Sequence, residues 1–156
     1  MVWDIRIGQP IMGLHGHYKQ ILSSEFHSDG YQLATGSQDN SIRIWDLRKK
    51  TSVANIPAHT KLISDVHFEK DHSRFLYSCS YDGTFKVFST IDWTEHFCQD
   101  CSSNRLSSVS LSKGADHIFL TSMDKKVFIY EAKSLAREQA NLHHPENGKM
   151  VDELQH

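Results

Sequence analysis

Histidine, hydroxyl and aspartate side chains recur along this chain in the combination that hydrolases use for nucleophilic catalysis. Two sets have nearly the same internal spacing: His17, Thr35 and Asp39, then His59, Ser78 and Asp82. A catalytic set is needed once, whereas a repeated set is typical of a repeated structural unit. The patterns Gly-x-Ser-x-Gly, His-Glu-x-x-His and Gly-x-Gly-x-x-Gly and the phosphate loop do not occur. We therefore expect structural hydrogen bonds from these residues, no catalytic residue and no enzyme.

A second candidate for chemistry is the pair Cys98 and Cys101, which has the spacing of a zinc half-site or a redox pair. His143 and His144 would complete four zinc ligands. They stand far away in a polar stretch, however, and an odd total of three cysteines fits a reducing compartment. The sequence favours no metal and no cofactor, with zinc binding as the alternative.

A repeat of about 42 residues positions these side chains. Short β-rich runs end at aromatic pairs that follow one another at steps of 42, 43 and 42 residues: Trp3-Asp4, Trp45-Asp46, Phe88-Ser89 and Tyr130-Glu131. An aspartate precedes each of the last three aromatics by six residues, and the third of these is Asp124. The third unit has Asp100-Cys101 where the others have Gly16-His17 and Ala58-His59.

Alternating apolar and polar residues between turn signals predict short half-buried strands, and no helical period competes. The predicted strands are 20–27, 31–37, 41–46 and 51–56, then 62–69, 74–79, 83–88 and 93–98, then 106–112, 117–122 and 126–131. The last unit shows no fourth strand. Residues 132–156 favour a short helix to about Leu142, followed by a flexible tail.

The Gly-His to Trp-Asp layout resembles that of WD repeats. This resemblance implies an all-β fold, a partial WD40 β-propeller of about three four-stranded antiparallel blades plus a preceding outer strand. The expected divisions are 1–15, the end of a truncated blade; 16–57 and 58–99, two blades; 100–131, a degenerate last blade; and 132–156, the helix and tail. The resemblance further implies a hydrogen-bonded set of His17, Thr35, Asp39 and Trp45, repeated by His59, Ser78 and Asp82. Phe88 removes the indole donor from the second set and Asp124 alone remains of the third, so we expect stability to decline along the chain.

A narrower resemblance covers Gly16 to Glu69. It is similar to the C-terminal blades of the WD subunit of the U4/U6 small nuclear ribonucleoprotein, the pre-mRNA-processing factor four family, through Ile56-Pro57-Ala58-His59 after Trp-Asp-Leu-Arg. Tyr81-Asp82-Gly83-Thr84 with a later Trp93 is also similar. The resemblance implies a nuclear assembly scaffold in the U4/U6 and U4/U6·U5 particles. The implied partners are the protein that grips U4/U6 RNA and a cyclophilin, with contact to U4/U6 snRNA mainly indirect.

Family members carry further repeats upstream, so some four blades would be missing from this chain. We expect the remaining propeller blades, or another chain, to close the ring, with the last blade completed by a strand from the N-terminal side of the ring. Blades without those neighbours leave open sheet edges. The chain is then either a fragment or one part of a composite propeller.

Partner-binding candidates flank the hydrogen-bonded sets and are expected not to belong to them: Tyr18, Lys19, Gln38, Thr60, Lys61 and Tyr81.

A basic cluster of Arg43 with Arg48-Lys49-Lys50 is either solvated loop charge or a contact for RNA or an acidic peptide. The motifs Trp3-Asp4-Ile5-Arg6 and Trp45-Asp46-Leu47-Arg48 also resemble those of substrate receptors of cullin-based ubiquitin ligases, which is the alternative function.

Composition limits the other function classes. The 17 lysines and arginines against 19 aspartates and glutamates give a net charge of −2, so any contact with nucleic acid must come from a local patch. No apolar run approaches the roughly 20 residues of a membrane span, and the N-terminus does not resemble a signal peptide. We expect no membrane contact.

Overall fold

The fold was analysed in a computed structural model, which describes residues 1–70, 72–113 and 116–131. The predicted helix and tail at 132–156 lie outside the described residues. Within them the chain is all-β, as predicted, and no helix there is long and apolar enough to span a membrane.

Thirteen strands form four antiparallel units. The strands are β1 (Val2–Asp4) and β2 (Gln9–Met12) in a hairpin; β3 (Ile21–Phe26), β4 (Gln32–Ser37), β5 (Ile42–Asp46) and β6 (Thr51–Ile56) in the first sheet; β7 (Ile63–Phe68), β8 (Phe75–Ser80), β9 (Thr84–Ser89) and β10 (Glu95–Asp100) in the second sheet; and β11 (Leu106–Leu111), β12 (His117–Ser122) and β13 (Val127–Glu131) in the third sheet. Each sheet pairs its strands in chain order. The eleven strands from β3 onward begin and end within one or two residues of the predicted bounds.

The N-terminal hairpin contains the predicted outer strand, β2. It pairs with β1, which carries Trp3, and a hydrogen bond from the Gly8 amide to the Asp4 carbonyl closes the turn at 2.9 Å. These two strands have the positions of the third and fourth strands of a unit that would precede the first sheet. Trp3 is 58% exposed there, unlike its repeat equivalent Trp45, which is 1% exposed.

The sheets stack through their apolar faces, because alternate residues of each strand point to opposite sides. One cluster joins the first sheet to the second and consists of Ala34, Ile42, Ile44, Ala58, Ile63, Val66, Phe68, Leu76 and Phe88. Another joins the second to the third and consists of Tyr77, Cys79, Phe85, Val87, Phe97, Leu106, Val109, Leu111, Ile118 and Leu120. The second sheet is therefore covered on both faces and forms the centre of the described structure.

The outward face of the third sheet is apolar and exposed. Phe119 pairs with Ile129 on this face, and Val127 lies two residues before Ile129 on β13. Phe119 is 37% exposed, Ile129 is 53% exposed and Val127 is 61% exposed. Among the described residues β13 also has a neighbouring strand on one side only. Both features are those of a sheet that stacks against a further unit.

Gly83 fixes the junction between the second and third sheets. Its φ of +87° lies in the left-handed region, and its carbonyl accepts hydrogen bonds from the amides of Cys101 at 3.1 Å and Ser102 at 3.3 Å. A Cβ at this position would overlap the carbonyl oxygen of Ser102. Glycine is thus required both for the backbone conformation at this position and for the close approach of the backbone segments that contain Gly83 and Ser102.

Replacing Gly83 by alanine should lower the free energy of unfolding by about 2–5 kcal/mol, the sum of a left-handed alanine and a backbone displacement. Gly30 is the matched control, since its φ is +76° but a Cβ there would meet no atom within 4 Å. Gly30→Ala should cost only about 1–2 kcal/mol. Urea unfolding followed by circular dichroism measures both; equal losses would show that the Ser102 contact does not constrain the fold.

Candidate functional site

The first hydrogen-bonded set joins a loop, two strands and a turn of the first sheet. His17 Nδ1 lies 2.8 Å from Asp39 Oδ2, and His17 Nε2 lies 2.8 Å from Thr35 Oγ1. The indole N–H of Trp45 donates to the same Thr35 oxygen at 2.8 Å. The structure thus brings together all four residues that the sequence predicted for this set.

The donor and the acceptor in each of these bonds can be assigned from Asp39, which only accepts, and from the Trp45 N–H, which only donates. An ionised Asp39 only accepts, so His17 Nδ1 donates to it and Nε2 is left as an acceptor for the Thr35 hydroxyl hydrogen. Thr35 oxygen then accepts from the Trp45 N–H. A neutral His17 therefore satisfies every group in the series, which is the condition for burying it.

Asp39 itself is saturated with donors. Its Oδ1 accepts from the Ser41 amide at 3.1 Å and from the Ser41 hydroxyl at 2.6 Å, while Oδ2 also accepts from the Tyr18 amide at 3.3 Å. Burial alone would raise the pKa of Asp39, but the bonds from Ser41 and His17 outweigh it and lower the pKa to about 2. The carboxylate is charged at neutral pH and holds the tight turn at 38–40.

The second set repeats this arrangement. His59 Nδ1 lies 3.2 Å from Asp82 Oδ2 and His59 Nε2 lies 2.8 Å from Ser78 Oγ. Thr84 donates to Asp82 Oδ1 through both its amide and its hydroxyl. Burial works against the charged form, but bonds from His59 and Thr84 hold the pKa of Asp82 well below its usual range. Phe88 is 1% exposed and supplies packing where Trp45 supplies an indole donor.

The third set lacks both the histidine and the hydroxyl residue at the equivalent position of its second strand. Ser102 donates to Asp124 Oδ2 at 3.2 Å, and Asp124 Oδ1 is buried with no hydrogen-bond partner among the described residues. Leu120 stands where the other sheets have Thr35 and Ser78. Sequence reasoning found Asp124 but not Ser102, although Ser102 precedes it by the same 22 residues that separate His17 from Asp39.

Cys101 belongs to the packing of the third sheet. The Tyr130 hydroxyl lies 3.3 Å from Cys101 Sγ, and burial raises the pKa of this thiol to about 11. Cys98 is exposed on the preceding strand. Among the described residues no three metal-binding side chains cluster. His143 and His144, the other two candidate zinc ligands, lie outside these residues.

Asp65 of β7 connects all three sheets, which sequence reasoning missed. Ser23 of β3 donates to Asp65 Oδ1 and Ser108 of β11 donates to Asp65 Oδ2, both at 2.7 Å. The Val109 amide also donates to Oδ2, at 3.2 Å. Burial raises the pKa of Asp65, but bonds from His67 and the two serines lower it to about 2. The signal in the sequence was the near-repeat spacing of 42 and 43 residues between Ser23, Asp65 and Ser108.

His67 lies between two carboxylates from neighbouring sheets. Its Nε2 is 3.6 Å from Asp65 Oδ2 and its Nδ1 is 3.4 Å from Glu25 Oε2. Asp65 first and Glu25 second raise the pKa of His67, against the effect of burial. The charged form of this histidine therefore strengthens the contact of the first sheet with the second.

The partner-binding candidates lie on one edge of the structure, here called the turn edge. It comprises the loops 13–20, 38–41, 57–62, 81–83, 101–105 and 123–126. Tyr18, Lys19, Thr60 and Lys61 are exposed, whereas Gln38 and Tyr81 are half-buried. The structure corrects the expectation that all six stand outside the hydrogen-bonded sets. The Tyr18 amide donates to Asp39, and the Thr60 amide and hydroxyl donate to Asp82 at 2.9 and 3.3 Å, because each aspartate needs donors from the loop beside it.

The predicted basic cluster of Arg43 with Arg48-Lys49-Lys50 is wrong. Arg43 stands near the start of β5, where Gly16 packs against its guanidinium and against the Trp45 ring. Arg48 follows the other end of β5, bonds to Asp46 and stacks over the Tyr31 ring at 3.5 Å. The length of the strand separates the two arginines, and Arg48, Lys49 and Lys50 are exposed at one end of it while Arg43 is half-buried.

Comparison with known proteins agrees with this geometry. The family model described as WD domain, G-beta repeat matches residues 8–46 and 50–89. COMPASS component SWD3 of Saccharomyces cerevisiae is 28% identical in an alignment of 124 residues that covers 74% of this chain and 39% of that protein. Pre-mRNA-processing factor 19 of Homo sapiens is 44% identical over 45 residues, which are 29% of this chain and 9% of that protein.

Among solved structures, the RRP9 WD40 repeats superpose with a TM-score of 0.74 at 16% identity, over 78% of this chain and 38% of that one. This similarity shows the propeller fold. The chain spans less than half the length of each of these proteins.

Asp39→Ala should lower the free energy of unfolding by about 2–4 kcal/mol, because it leaves His17 and the Ser41 and Tyr18 amides without their acceptor. The exposed Asp116 is the control, and Asp116→Ala should change stability by less than about 0.5 kcal/mol. Urea unfolding at pH 7 tests the pair. A loss at Asp39 no larger than that at Asp116 would mean that the set does not hold the turn.

The contribution of His67 should depend on pH. Its folded pKa is raised, so the stability that it adds is fully present below about pH 6.5, the unfolded value, and is lost as the pH rises through the folded pKa. His67→Gln should therefore destabilise the chain more at pH 5.5 than at pH 8.5 in urea unfolding. In an Asp65→Asn background this difference should shrink. An unchanged difference would contradict the pairing of His67 with Asp65.

Proposed function

We propose, for a chain that belongs to the WD domain, G-beta repeat family, a role as a non-catalytic assembly scaffold in pre-mRNA splicing, within the U4/U6 and U4/U6·U5 particles. WD-repeat propellers are generally binding platforms whose loops meet other macromolecules. The segment Ile56-Pro57-Ala58-His59 carries the narrower proposal, through its resemblance to the U4/U6 WD subunit.

The structure gives this segment a physical role. Ala58 is 2% exposed and belongs to the apolar cluster between the first and second sheets, while His59 carries the second hydrogen-bonded set. Pro57 between β6 and these two residues is exposed. The segment therefore connects the first sheet to the second and anchors the connection through the packing of Ala58 and the hydrogen bonds of His59.

Burial of the hydroxyl groups supports a non-catalytic role. Ser78 is 0% exposed and Thr35 is 4% exposed, and both hydroxyls bond to histidine at 2.8 Å. Neither residue offers its hydroxyl at the surface in this conformation. The histidine, hydroxyl and aspartate sets are better explained by stability than by hydrolysis.

The proposed partners are those that the resemblance implies: the protein that grips U4/U6 RNA and a cyclophilin, with U4/U6 snRNA reached mainly through them. A nuclear location fits the name of pre-mRNA-processing factor 19, a relative of part of the chain. Remaining blades or another chain would cover the exposed Phe119, Val127 and Ile129 face and close the ring.

A substrate receptor of a cullin-based ubiquitin ligase is the second candidate. Arg6 and Arg48 of the two Trp-Asp-x-Arg motifs are 85% and 62% exposed in their side chains, although each bonds to its own aspartate, Asp4 or Asp46. Exposed arginines at these positions are the feature that such receptors would use toward the ligase adaptor.

Affinity purification of the tagged chain from nuclear extract should recover U4 and U6 RNA with their proteins. A bait carrying Arg6→Ala and Arg48→Ala is the matched comparison, because these substitutions should leave U4/U6 recovery unchanged. Recovery of a cullin with its adaptor, abolished by the double substitution, would select the ligase function. An eluate without U4 and U6 RNA and their proteins contradicts the splicing proposal.

A further inference from the structure

The turn edge carries exposed positive charge, although the net charge of the whole chain is −2. Its exposed basic residues are Lys19, Lys61, Arg105, Lys125 and Lys126. The acidic residues of these loops are Asp39, Asp82 and Asp124, and each accepts hydrogen bonds beneath the surface. The charges that reach solvent from these loops are therefore positive, and the exposed carboxylate beside them is Asp100 at the end of β10.

The opposite edge is different, since its arginines pair with carboxylates at the same edge. Arg6 bonds to Asp4 at 2.9 Å, and Arg48 bonds to Asp46 at 3.3 Å. Arg74 lies 3.8 Å from Glu69. The charge of these arginines is matched, while Lys49, Lys50 and Lys70 are also exposed at that edge. A polyanion therefore meets lysines interspersed with paired arginines and carboxylates there.

Each sheet contributes one cation to a row along the turn edge. Lys19 and Lys61 each stand two residues after the histidine of their set, and Arg105 stands in the corresponding loop of the third sheet. Hydrogen bonds connect these loops: Asn40 Nδ2 donates to the Thr60 carbonyl at 3.1 Å, the Tyr81 amide to the Leu62 carbonyl at 3.1 Å, and the Cys101 amide to the Gly83 carbonyl at 3.1 Å. The row thus crosses three sheets without a break.

Two tyrosines alternate with the cations. Tyr18 is 76% exposed, with Lys19 Nζ 5.9 Å from its ring centre, and Arg105 Cζ lies 5.3 Å from the ring centre of Tyr81. Cations that follow a backbone, interleaved with rings on which bases stack, are the recognition surface of single-stranded nucleic acid.

We propose that the turn edge binds single-stranded nucleic acid directly, with phosphates at Lys19, Lys61 and Arg105 and bases stacked on Tyr18 and Tyr81. This contact goes beyond assembly through partner proteins and does not depend on the particle to which the chain belongs. An acidic peptide fits less well. Its affinity beyond charge would need an apolar pocket for an anchor residue, and within the loops of this edge the exposed large apolar side chains are Tyr18 and Met123.

Fluorescence anisotropy with a fluorescein-labelled twelve-residue oligouridine RNA and the purified full chain tests the proposal. Three phosphate contacts predict that the logarithm of the association constant falls with the logarithm of salt concentration at a slope of about −2. The variant Lys19→Gln/Lys61→Gln/Arg105→Gln should bind at least about tenfold more weakly at low salt, with a slope near zero.

The matched control is Lys49→Gln/Lys50→Gln/Lys70→Gln, which removes the same charge from exposed positions at the opposite edge. It should change the affinity by less than about twofold if binding is local to the turn edge. Equal weakening by both triple variants would overturn the proposal, because the attraction would then be nonspecific.

Stacking distinguishes nucleic acid from an acidic peptide. Tyr18→Leu should weaken RNA binding by roughly fivefold or more, while Tyr18→Phe keeps the ring and should restore the affinity. A labelled oligoglutamate should bind far more weakly than the RNA. Oligoglutamate binding as tight as RNA binding, with no effect of Tyr18→Leu on either ligand, would assign the surface to acidic peptides and refute the nucleic-acid proposal.

Discussion

Burial of a carboxylate in each repeat is the constraint on which the rest of the structure depends. An isolated ionised group is costly away from water, so Asp39 and Asp82 must each collect donors from a loop, a turn and a histidine. That requirement fixes the tight turn and the strand ends at once. It also explains why each histidine must in turn be oriented by a hydroxyl, Thr35 or Ser78, whose position depends on the second strand. Local turn geometry and sheet pairing therefore stabilise each other.

Asp65 extends the same principle from one sheet to three. Two serines and an amide from neighbouring sheets converge on this carboxylate, so its bonds form only when the sheets are stacked in register. The apolar clusters supply most of the stacking energy but tolerate small sliding of one sheet on another, since the hydrophobic effect is not directional. The directional bonds to Asp65 select one alignment. A carboxylate that burial separates from part of its water thus fixes the alignment of sheets that have separate hydrogen-bond ladders.

The strands and the first hydrogen-bonded set could be predicted from the sequence because both depend on short-range patterns. Alternation of apolar residues, turn residues and the His17 to Asp39 spacing repeat with a fixed period, so each copy supports the others. Contacts between repeats were harder to predict. Asp65 is one polar residue in a strand, and its bonds to Ser23 and Ser108 depend on stacking that no single repeat encodes. The predicted cluster of Arg43 with Arg48 at one strand end is wrong because proximity in sequence does not show that two residues lie toward opposite ends of a strand.

The third sheet shows what happens when the constraint is relaxed. Leu120 replaces the hydroxyl residue, Ser102 replaces the histidine, and the Tyr130 hydroxyl contacts Cys101, so packing takes over much of what hydrogen bonds do in the first sheet. One oxygen of Asp124 is then left buried without a hydrogen-bond partner among the described residues. This oxygen costs stability because the third set has fewer donors than the first two. Backbone hydrogen bonds hold the turn of this aspartate, from the Ser122 amide to the Lys126 carbonyl at 3.0 Å and from the Lys125 amide to the Ser122 carbonyl at 3.3 Å. Retaining the turn while losing the set is consistent with an edge whose loops matter for contact with other molecules more than for the stability of the sheet.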